Sequence, residues 1–80
     1  MEGTAEVEKI DLKTFIKGQA SLKGMNLTKI ADRMGKRQST LSGMLIRKTM
    51  SVDTLIEILD VLGEDLIVEL KNGNKYKIQL

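Results

Sequence analysis

The side chains able to do chemistry in this chain are few in kind and gathered in one stretch. There is no His and no Cys among the 80 residues. That removes the commonest general base, the commonest metal ligand, thiolate chemistry and any Ser-His-Asp arrangement. Ser39, Thr40 and Ser42 have no obvious base, and neither a carboxylate pair nor a glycine-rich phosphate loop is present. The expectation is a protein that is not an enzyme, with no catalytic residues, no metal and no cofactor. What remains is charge. Residues 9–48 hold ten Lys and Arg against two Asp, a net of +8 in a chain whose total is +2. Residues 1–8 and residues 49–80 each carry a net of −3. Within the basic part, Arg33, Lys36, Arg37, Arg47 and Lys48 surround Gln38, Ser39 and Ser42. Cations of this density suit a polyanion, with Lys and Arg on phosphates. Gln can bond adenine bidentately, and Ser donates or accepts at several base edges.

Two short helices must position these groups. Leu27, Ile30, Ala31 and Met34 recur at helical spacing, and Asn26 before them is suited to cap a helix over 27–34. Leu41, Met44 and Leu45 form the inward face of a helix from Gln38 to Arg47. Its outward face is then Ser39, Ser42, Gly43 and Ile46, small enough to enter a groove. Gly35 supplies the positive-φ turn between the two helices. A steep crossing needs a small residue, which Ala31 provides, and Leu41 closes the angle. A compact helix pair with cations at the joint is a shape that docks on duplex DNA.

The rest of the chain builds around that pair. Residues 1–10 read as a frayed arm, with a short edge strand as the alternative. Asp11 is placed to cap a first helix whose apolar face is Leu12, Phe15, Ile16 and Ala20, with Leu22 near its end and Gly24 past it. Ser51 caps a fourth helix with the stripe Val52, Leu55, Ile58, Leu59 and Leu62, widened by Ile56 and Val61 and ended by Gly63. The pattern then changes period. Leu66 to Leu70 is β-prone, Asn72-Gly73 signals a type I′ hairpin turn, and Tyr76, Ile78 and Leu80 alternate with Lys75, Lys77 and Gln79. The expected fold is mainly α: a four-helix core over residues 11–63, followed by a C-terminal β-hairpin over 64–80. A lone hairpin is marginal in water. It must pack on its own helices or pair with a second copy, and dimerisation through Tyr76, Ile78 and Leu80 is expected. No apolar run approaches membrane length and the N-terminus does not look like a signal peptide, so a soluble cytoplasmic protein is expected.

The runs Asn26 to Gly35, Gln38 to Ser42 and Ser51 to Gly63 resemble the lambda repressor and Cro-like helix-turn-helix family, also called the XRE family. The likeness covers roughly residues 11–63. It implies a small homodimeric repressor or autoregulator that binds double-stranded DNA at paired half-sites, with the third helix in the major groove. By position, it implies base reading by Gln38, Ser39, Ser42 and Gly43. It implies backbone clamping by Leu27 and Thr28, by Lys36 and Arg37 in the turn, and by Arg47 and Lys48 after the third helix. The hairpin stands where the family often has a fifth helix, as in Cro-type and antitoxin-type members. An antitoxin that also holds a toxin partner is therefore the alternative. Lys36-Arg37 replaces an aliphatic residue followed by Ser or Thr, which adds charge and removes a cap from the third helix.

Overall fold

The structure, a computed structural model, describes residues 8–79. Its elements are α1 (Leu12–Leu22), α2 (Leu27–Met34), α3 (Gln38–Arg47), α4 (Val52–Leu62), β1 (Leu66–Glu69) and β2 (Lys75–Ile78). The architecture is mainly helical, with a two-stranded antiparallel hairpin after α4. Most of the expected N-terminal arm and Leu80 lie outside the described residues, and residues 8–10 form no element. Among the described residues, no helix is long and apolar enough to cross a membrane.

Local chemistry sets the helix ends. Asn26 Oδ1 accepts from the Lys29 N–H at 2.9 Å, and Ser51 Oγ accepts from the Thr54 N–H at 3.2 Å. Asp11 Oδ1 accepts from the Thr14 N–H at 2.8 Å, while Oδ2 accepts from the Thr14 hydroxyl at 2.7 Å. The Thr14 backbone N–H, then its hydroxyl, hold the Asp11 carboxyl below the ordinary carboxylate range, and Lys48 and Lys13 add to this. A carboxyl lowered on folding stabilises the protein above its unfolded pKa, and that stability is lost as pH falls through the lowered folded value. Asp11→Asn keeps an N-capping oxygen without the titration. Urea unfolding from neutral to acid pH is therefore expected to show a shallower acid loss of stability in Asp11→Asn than in the wild type.

One apolar cluster joins all four helices: Ile16 and Ala20 from α1, Leu27, Ile30 and Ala31 from α2, Leu41 and Leu45 from α3, and Ile58 and Leu62 from α4. Phe15 packs at the rim of this cluster and not at its centre. Three expected core positions are instead exposed, among them Leu12, 39% exposed as the first residue of α1. Leu22 is 80% exposed at the last residue of α1, about 200° around the helix from buried Ala20. Val52 is in phase with Leu59 but is the first residue of α4, outside the buried span from Ile56 to Leu62.

The hairpin pairs Leu66 with Ile78, Ile67 with Lys77, Val68 with Tyr76 and Glu69 with Lys75. Opposed residues share a face, so Leu66, Val68, Tyr76 and Ile78 form the apolar side. Its base is covered: Leu66 and Ile78 are half-buried and line one depression with Ile56 of α4. Its outer part is open, with Val68 42% and Tyr76 54% exposed. The turn differs from the type I′ expected. The Leu70 N–H donates to the Asn74 carbonyl at 2.8 Å and the Gly73 N–H to the Leu70 carbonyl at 2.9 Å, leaving a three-residue loop over 71–73. A type I′ turn needs positive φ at both central residues, whereas Gly73 has φ 96° and Asn72 does not turn left-handed. The Asn72 side chain accepts from the Asn74 N–H at 3.0 Å instead.

Candidate functional site

α2 and α3 are joined through Gly35, Lys36 and Arg37. Gly35 has φ 70°, and the Lys36 N–H closes the end of α2 on the Ala31 carbonyl at 2.9 Å. α2 packs against both α3 and α4. Ala31 and Leu41 are fully buried. Arg37 occupies the N-cap of α3 without a side-chain cap bond. The N–H groups of the first turn of α3 therefore lack a cap from that side chain, next to a guanidinium.

The outer face of α3 begins with exposed Gln38, Ser39 and Thr40 and ends with exposed Ile46 and Arg47. Ser42 and Gly43 between them are half-buried. The reason at Gly43 is Arg47. A β-carbon on Gly43 would lie 3.0 Å from Arg47 Nη1 and 3.2 Å from Nη2. Helical side chains lean back toward the N-terminus, so a residue four places on lies over the turn before it. The Arg47 guanidinium thus lies on Gly43, in the middle of the outer face. The resemblance groups Arg47 with the backbone clamps after α3, and its guanidinium lies back along the helix over Gly43.

The start of α3 meets the other two helices. Lys17 and Ser21 of α1, Asn26, Leu27 and Thr28 at the start of α2, and Gln38 line one groove of about 480 Å³. Thr28 and Gln38 are therefore neighbours across two elements. Leu27 is buried, so its side chain belongs to the core and only its backbone can serve as a clamp. Lys17 and Ser21 line this groove although sequence reading did not place them there. Their only signal was a position off the apolar face of α1. Lys36 is half-buried, and Arg37 and Lys48 are exposed.

Lys48, the C-cap of α3, has φ 56° and ψ 40° and is the non-glycine residue with positive φ among the described residues. A side chain in this region costs about 1–2 kcal/mol. Lys48→Gly is expected to raise stability by up to about 1 kcal/mol in urea unfolding, while removing a cation from this end of α3.

A second cleft, about 490 Å³, lies between the start of α1 and the end of α3. Leu12, Met44, Ile46 and Met50 give it apolar walls, and its one carboxylate, Asp11, is engaged by Thr14. Comparison of the chain with family models, curated proteins and solved structures found no match.

Proposed function

We propose that the chain is a sequence-specific double-stranded DNA-binding protein, a small homodimeric transcription regulator acting as repressor or autoregulator. In this reading α1–α4 form a lambda-repressor-like helix-turn-helix core, and α3 enters the major groove. The observation that carries it is the outer face of α3. That face offers Gln38, Ser39 and Ser42 beside an exposed guanidinium, with Lys36 and Arg37 at one end and Lys48 at the other. Cations at both ends of a short, small-residue face match two phosphate strands flanking a groove about 12 Å wide.

The roles follow from placement. Gln38 and Ser39 stand in the first turn of α3 and read base edges. Arg47, held over Gly43, supplies the bidentate fork that suits guanine O6 and N7. Lys36, Arg37 and Lys48 take phosphates, as do the start of α2 at Thr28 and Lys17 across the groove. Gly43 serves as the seat of Arg47. Gly43→Ala is expected to raise stability by about 0.5–1 kcal/mol, since Ala is the better helix former. It is also expected to dislodge the flexible end of Arg47 and flatten the preference at one base position. Thermal unfolding and competition between matched and mismatched duplexes read the two effects separately.

Selection of binding sites from a random duplex pool tests the function. A recovered two-fold symmetric motif, with half-sites about 34–36 Å apart, is the expected result. Enrichment of no sequence over the starting pool would contradict it. Arg37→Ala is expected to weaken all duplexes about equally, and Gln38→Ala to change which duplexes are preferred.

A further inference from the structure

We propose that two copies join through the outer edge of β1, strand against strand about a two-fold axis, with Val68 opposite Val68 of the second copy. This rests on reading the chain as a homodimer and is independent of its DNA binding. The hairpin hydrogen bonds decide which backbone groups are free to pair. Leu70 bonds to Asn74 within the ladder that sets Val68 opposite Tyr76 and Leu66 opposite Ile78. Hydrogen-bonded pairs alternate along an antiparallel ladder, so Leu66, Val68 and Leu70 spend their backbone groups inward. Ile67 and Glu69 point theirs outward from β1, as Lys75 and Lys77 do from β2.

Charge then separates the two edges. Pairing β2 with itself about Tyr76 sets Lys75 opposite Lys77, and pairing it about Lys75 or Lys77 sets a lysine opposite its own copy. Like charges directly opposed destabilise a sheet, and lysines are a common guard on an edge strand. A β2 register centred on Ile78 avoids this only by running past the end of the strand.

Of the registers centred on Ile67, Val68 and Glu69 of β1, one is free of conflict. Centred on Ile67, it sets Asp65 opposite Glu69, and centred on Glu69 it sets two carboxylates together. Centred on Val68, it sets Ile67 opposite Glu69 and Asp65 opposite Lys71, each twice, with no like charges opposed. In the same register Leu70 lies opposite Leu66 of the second copy. Leu70 is 41% exposed, whereas Leu66 is half-buried beside α4. The open apolar side of each hairpin becomes a continuous row, Tyr76, Val68, Val68, Tyr76, across a four-stranded sheet. Pairing β1 with β2 of another copy would be head-to-tail, would leave an edge free at each step, and would not close as a dimer.

Val68 is opposed in a non-hydrogen-bonded pair, where the Cα atoms stand about 4.5 Å apart. That distance is within reach of a disulfide, and the chain has no Cys of its own. Under mild oxidation, the full chain carrying Val68→Cys is expected to form a covalent dimer, while Tyr76→Cys and Ile78→Cys stay monomeric on a non-reducing gel. In sedimentation equilibrium without DNA, the wild type is expected to be a dimer. Lys71→Glu, in the exposed turn and facing Asp65 across the axis, is expected to raise the dimer dissociation constant at least tenfold with unchanged helical circular dichroism. A wild-type dimer that cross-links through Tyr76→Cys or Ile78→Cys, and not through Val68→Cys, would overturn the β1 edge while leaving the homodimer standing. A wild type that stays monomeric at every concentration would overturn both.

Discussion

Leu41→Ala is expected to lower the stability of the chain by about 2–5 kcal/mol. Leu41 is fully buried in the cluster where α1, α2, α3 and α4 meet. Truncation removes its contacts and leaves a cavity that helices already touching Ala31 cannot close. A domain this small has a total stability of about 5 kcal/mol, at the low end of the usual range, so the loss takes most of it. Urea unfolding followed by circular dichroism measures it directly. Leu41→Met conserves volume and is expected to cost less than about 1.5 kcal/mol. The same side chain fixes which face of α3 looks outward. Loss of DNA binding in Leu41→Ala, with recovery in Leu41→Met, would connect the core to the proposed DNA-facing side of α3.

The second large effect is electrostatic. Replacing Lys36 and Arg37 together by Ala is expected to reduce the slope of log affinity against log salt by about 1.8, since each lost phosphate contact removes about 0.9. At ~0.1 M salt this amounts to as much as about 60-fold in affinity, similar for every duplex sequence. The fold is expected to persist. The Lys36 bond to the Ala31 carbonyl uses its backbone N–H, and Arg37 makes no side-chain cap bond. An unchanged slope with unchanged circular dichroism would remove both residues from the phosphate contacts.

The helices were legible because each is marked by chemistry that acts locally. Asp11, Asn26 and Ser51 accept from the N–H three residues on, and the left-handed turn at Gly35 ends α2. The missing cap on α3 was also legible, since Arg37 carries no acceptor. Exposure at helix ends was not: periodicity gave Leu12, Leu22 and Val52 to the core, but phase alone does not say how far along a helix its neighbours reach. The hairpin turn was misread because Asn72-Gly73 fits type I′ by composition, whereas the pairing register leaves a three-residue loop. At the candidate site, the scaffold of Ala31, Gly35 and Leu41 followed from size and φ. The placement of Arg47 over Gly43 did not, because a glycine in a list of reading positions looks like a gap. Nor did the groove that brings Lys17 to Thr28 and Gln38, because it is assembled from three helices.

The most direct test of the central claim is fluorescence anisotropy of labelled duplex DNA titrated with the protein across a salt series. Saturable binding at low salt is expected, with affinity falling steeply and linearly on logarithmic axes as salt rises. Binding that ignores salt, or no binding at low salt, would contradict it.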